Sequence, residues 1–128
     1  MIWAFLIALA EPPPEAQNIP GWAECDVPAE NDARPFTLCL AEYSFEQADA
    51  ELNRQWTVTV AHVKARKGVR GVRQLRNEQR RWLKSRDREC VALAAESPTT
   101  QSGRNEMSCL AHLTGERTAE LRAMIGSH

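Results

Sequence analysis

The sequence predicts an all-α fold, a small antiparallel three-helix bundle with disulfides and an irregular N-terminal arm. Three observations carry that expectation: apolar residues recur at three- and four-residue steps in three separate segments, no stretch alternates convincingly with period two, and the cysteines number four. A chain of 128 residues with 43% hydrophobic and 26% charged residues suits one domain with a modest core. That length excludes a multidomain enzyme.

The first periodic segment runs through Leu38, Phe45, Ala48, Leu52, Trp56, Val60 and Val63, one apolar stripe on a long helix, with Pro35 placed in its first turn. Gly68 and Gly71, inside a basic run, are the expected break. The second stripe is Val72, Leu75, Gln79, Trp82, Leu83, Arg86, Cys90 and Leu93, ending near Ser97-Pro98. After a polar loop through Gly103, Asn105-Glu106 opens a third stripe of Leu110, Leu113, Arg117, Leu121 and Met124. Short connections fold these helices back on one another, and residues 35–126 form the helical domain.

Residues 1–10, MIWAFLIALA, are uncharged and apolar and end in the small-x-small pattern Ala8-Leu9-Ala10, so they are expected to be a signal peptide. Ten residues are too few to span a bilayer, which takes roughly 20. No cysteine closely follows the expected cleavage site, so a lipid-anchored form is not expected. Residues 11–34 read as an acidic, Pro-rich linker or arm.

The near-neutral total of −1 conceals a strong polarity. Glu11 to Asn53 holds ten acidic residues and one basic, Arg34, whereas Lys64 to Arg88 holds eleven basic and two acidic, Glu78 and Asp87. A uniformly basic nucleic-acid binder and a disordered acidic tail are both disfavoured. The basic run admits two readings: a solvated face balanced by Glu42, Glu46 and Glu51 of the first helix, or a site for phosphates or an anionic envelope polymer.

Four cysteines permit three pairings. If the second helix turns back into the third near residue 100, Cys90 and Cys109 face each other across an antiparallel pair within the roughly 6 Å that a disulfide requires. Cys90–Cys109 is therefore favoured, leaving Cys25–Cys39 to pin the arm to the first helix. No C-x-x-C pair occurs, and His62 and His112 stand at no ligand-like spacing, so no metal site is expected.

Polar residues interrupt the stripes. Asp49 and Asn53 flank Leu52, Gln79 lies one turn from Leu75, and Arg117 sits between Leu113 and Leu121. An unpaired buried guanidinium costs several kcal/mol, so Arg117 requires a partner, for which Asp49 is the candidate, with Asn53 and Gln79 completing a structural network. In the acidic arm, Glu24, Asp26, Glu30 and Asp32 could meet a strongly basic partner, with Trp22 as an anchor and Glu42 and Glu46 of the first helix contributing.

The runs Leu38-Cys39-Leu40-Ala41-Glu42-Tyr43, Ala48-Asp49-Ala50-Glu51-Leu52-Asn53, Leu75 to Leu83 with Arg86-Asp87-Arg88-Glu89-Cys90, and Cys109 to Leu121 together resemble the lysozyme-inhibitor LprI-like domain family. The likeness lies in the order and spacing of D-x-E-L-N, Q-x-x-W-x-x-x-R-D-x-x-C and C-L-x-x-L-T-x-x-R-x-x-x-L, over roughly residues 25 to 124. It implies a small, helical, disulfide-containing bacterial envelope protein, periplasmic or secreted. The motif positions it singles out are Asp49, Asn53, Gln79, Arg117, the four cysteines and the core residues Leu52, Trp82 and Leu121.

The expected function is binding rather than catalysis, without cofactor or catalytic residues, because Asp49, Glu51, His62 and His112 do not assemble into a site from spacing alone. The expected partner is a lysozyme-type muramidase, inhibited by occlusion, or another envelope protein; nucleic acid is not expected. The mature chain is expected to be monomeric and to lack a transmembrane helix. The alternative is a structural or anionic-polymer-binding envelope protein that uses the basic face of the second helix.

Overall fold

The computed structural model describes residues 19, 21–26 and 34–126 of the protein; the segment expected to be a signal peptide, most of the arm, and with them Glu30 and Asp32, lie outside the described residues. All regular structure among the described residues is helical. A four-residue helix, α1 (Trp22–Cys25), precedes the long run α2 (Phe36–Glu96). A 3₁₀ turn (Thr99–Gln101) then leads directly into α3 (Ser102–Gly126).

Pro35 stands at the N-cap of α2, one position before the first helical residue, and its carbonyl accepts the first helical hydrogen bond from the Cys39 amide at 3.1 Å. Gly68, with φ 67° and ψ −162°, divides α2 into a first arm (residues 36–67) and a second arm (residues 69–96). A left-handed φ strains any residue with a Cβ, so a glycine stands at the bend. Gly71, the other expected breaker, is instead helical and buried.

The two arms lie antiparallel. Phe45 on the first is beneath Arg86 of the second, and Gly71 approaches Val63. At the far end of the second arm, Ser97 caps α2; its hydroxyl donates to the Leu93 carbonyl and accepts from the Asn105 amide, both at 2.9 Å. The Ser102 hydroxyl donates to the Ala94 carbonyl at 3.1 Å, which fixes the start of α3 three residues before the expected Asn105-Glu106. Contacts of Leu38 with Gly103 at one end and Thr59 with Leu121 toward the other show α3 running parallel to the first arm. The result is an up-down-up bundle of three long helical segments.

Leu52, Leu75 and Leu121, one from each segment, form the core, with Trp56, Val60, Val63, Trp82 and Met124 packed around them. Full burial of a leucine such as Leu121 stabilises the fold by about 1.5–3 kcal/mol. Leu83 and Leu93, counted on the second stripe, are exposed, at 36% and 44%. Leu83 follows the half-buried Trp82 and Leu93 precedes the buried Ala94, each turned by about 100° from that neighbour, so the buried seam is narrower than the apolar one.

Candidate functional site

Both disulfides lie toward the end of the bundle opposite the Gly68 bend. Cys90 and Cys109 are joined across the second arm and α3, with Cα atoms 5.5 Å apart and Cys90 fully buried. Cys25 and Cys39 are joined with Cα atoms 5.6 Å apart, which holds α1 against the start of α2.

That second link builds a surface. Gly21 packs directly on Tyr43, where an added Cβ would lie 2.7 Å from ring atoms, and the Trp22 and Phe36 rings meet edge to face at 5.0 Å. Trp22 is thus half-buried against Phe36, and its indole N–H is enclosed with no acceptor among the described residues. Around the disulfide lies an open recess of about 200 Å³ lined by Glu24, Arg34, Glu42, Tyr43 and Glu46 beside the two cysteines. The structure therefore gathers Glu24, Glu42 and Glu46 at one place, with Asp26 exposed at the end of α1. Arg34 donates to Glu42 at 2.6 Å and offsets part of the negative charge, while Glu24 and Glu46 stay exposed.

The polar residues of the interior sort differently from the expected network. Arg117 donates through Nε to Gln79 Oε1 at 2.8 Å and through Nη1 to Glu120 at 2.9 Å, and its guanidinium lies 5.9 Å from the Trp82 ring. Asp49, the expected partner, is half-buried and takes no part, and the Asn53 side chain is exposed. A carboxylate three residues along the same helix reaches the guanidinium without crossing the bundle, and Glu120 supplies it.

Arg86 has the same design: it donates to Thr114 at 3.1 Å and to Asp87 at 3.0 Å and lies 5.4 Å from Phe45 and 5.3 Å from Trp82. Trp82 consequently has two guanidinium groups over its ring, at 5.3 and 5.9 Å, a favourable cation–π arrangement. Thr59, fully buried, accepts from Gln55 at 3.2 Å and donates to the Leu121 carbonyl at 3.1 Å. Sequence reasoning missed Gln55, Thr59, Thr114, Thr118 and Glu120 and assigned no role to Arg86, although its stripe position marked it as inward-facing.

Charge balancing between the arms also departs from expectation. Glu42 pairs with Arg34, while Glu51 pairs with Arg54 at 2.6 Å and Arg122 at 3.2 Å; neither neutralises the second arm's arginines. Arg54, by hydrogen bond and charge, and then Arg122 hold the Glu51 carboxyl below its ordinary range. His112 is exposed beside Glu116, and no group of three or more His, Cys, Asp or Glu among the described residues could hold a metal ion. No described helix is long and apolar enough to cross a membrane.

The fold and its surface define a class: small all-α bundles clamped by two disulfides, with polar residues buried among their helices. The chain belongs to the lysozyme inhibitor LprI family, whose family model matches residues 27–121. It is also 32% identical over 102 residues to an uncharacterized protein of Rhizobium meliloti (strain 1021), covering 68% of this chain and 70% of that protein. No solved structure matches it.

Proposed function

We propose that the protein is an exported binding protein that inhibits a lysozyme-type muramidase through its acidic end, without catalysing a reaction of its own. Family membership supplies the class of target. The observation that carries the mechanism is the recess at the Cys25–Cys39 link, where Glu24, Glu42 and Glu46 converge with Asp26 nearby. A cationic enzyme is drawn to such a surface, and a rigid helical edge seated over its cleft excludes substrate. Two disulfides favour an oxidising, extracytoplasmic setting.

Inhibition of hen and bacterial lysozymes, measured at low and high salt, tests this reading. Inhibition at micromolar protein is expected, weakened by salt and by the combined substitution Glu24→Gln, Asp26→Asn and Glu46→Gln. No inhibition of either enzyme would refute it.

A further inference from the structure

The opposite end of the bundle carries a second surface. An open groove of about 420 Å³ lies beside the Gly68 bend, lined by Val60, Lys64, Val69, Val72, Arg73, Arg76, Asn77 and Arg80. Arg73, Arg76 and Arg80 repeat at three- and four-residue steps, so they share one side of the second arm over roughly 10 Å. Lys64 faces them from the first arm. All four side chains are exposed, and none hydrogen-bonds or pairs with a carboxylate among the described residues, since Glu42 and Glu51 are engaged elsewhere. Concentrating four unneutralised cations in one groove creates a positive potential that only an anion offsets.

The apolar part of the lining decides which anion. Val69, the first residue of the second arm, is 65% exposed at the apex of the bend, and Val60 and Val72 continue inward from it. A soluble polyanion has no use for these valines. An anionic lipid surface uses both halves, its phosphates on Lys64 and the arginines and its glycerol and upper acyl region against the valines. We infer that the groove at the Gly68 bend docks the protein onto a bilayer containing anionic phospholipid.

The test is co-sedimentation of the full chain with vesicles of phosphatidylcholine alone or with about a third phosphatidylglycerol, at low and high salt. Expected is binding to the anionic vesicles only, weakened by salt. Replacement of Arg73, Arg76 and Arg80 by Gln should lower the partition coefficient by about a hundredfold, at roughly fivefold per charge. Val69→Ser should lower it by about tenfold or less. Circular dichroism establishes that each variant is folded, and the salt series on the unaltered chain reads the electrostatic part without a variant. Equal binding to both vesicle types, or none, would overturn the inference. So would heparin binding as tight as vesicle binding together with a silent Val69→Ser, which would assign the groove to a soluble polyanion. Because these positions lie outside the acidic recess, the triple variant should inhibit lysozyme as the unaltered chain does. Failure of docking and failure of inhibition are thereby separable.

Discussion

Arg117 on α3 and Gln79 on the second arm meet at 2.8 Å in the buried interface between them, joining two residues 38 positions apart in the chain. Both are about nine-tenths buried or more, so neither can turn to water if the other is removed. Arg117→Leu leaves the Gln79 carbonyl unsatisfied and removes a guanidinium from Trp82. Chemical denaturation should show a loss of about 2–4 kcal/mol. Gln79→Leu leaves the buried charge only Glu120 as a partner and should cost a similar amount, with the double substitution losing less than the sum.

The two disulfides should separate in their effects. Cys90–Cys109 ties the second arm to α3 within the bundle, and removing it by paired Cys→Ala substitution should lower stability by about 3 kcal/mol in the chain-entropy picture. Paired substitution of Cys25 and Cys39 frees only α1, so thermal unfolding of the bundle should shift little. Inhibition, in contrast, should fall, because the recess loses its wall.

Gly68→Ala should destabilise the protein by about 1–3 kcal/mol, read as a lowered melting temperature, because φ 67° with ψ −162° is a combination open almost only to glycine. The backbone angles are the reason, since nothing lies within 4 Å of the added methyl group. A substitution to Ala at Gly115, which is helical and has equally open surroundings, should be neutral or slightly stabilising.

Glu51 sets the sign of one pH effect. Its folded carboxyl is held below the ordinary range by Arg54 and Arg122, so it binds fewer protons folded than unfolded. Its stabilising contribution is present above the unfolded pKa and lost as pH falls through the lowered folded one. The side chain is 45% exposed, so the effect is small and screened by salt. Glu51→Gln should flatten the acid limb of the stability–pH curve slightly and leave neutral stability almost unchanged.

Leu52, Leu75 and Leu121 were readable as core because large apolar residues at helical spacing have one inexpensive place to go. The helical architecture follows from the same periodicity. Thr59, Thr114 and Thr118 were not readable, since threonine is at home on either side of a helix and its burial depends on finding an acceptor such as the Leu121 carbonyl. Arg86 and Arg117 announced themselves by position, yet their surroundings did not. A guanidinium between aromatic rings leaves no spacing signature, and Glu120 is one of several carboxylates within reach of Arg117. At the acidic end, the pattern of Glu24, Glu42 and Glu46 showed charge, but only the fold of α1 against Tyr43 and Phe36 turns that charge into a recess.

The bend at Gly68 has an electrical consequence for the whole molecule. By turning the chain back on itself it leaves Lys64 and Arg73 at one extremity and Glu42 at the other, roughly 33 Å apart along the first arm. A rod with unlike poles has a large permanent dipole despite its near-zero net charge. Near a negatively charged wall such a rod is turned as well as pushed, its cations toward the wall and its carboxylates toward the surrounding fluid.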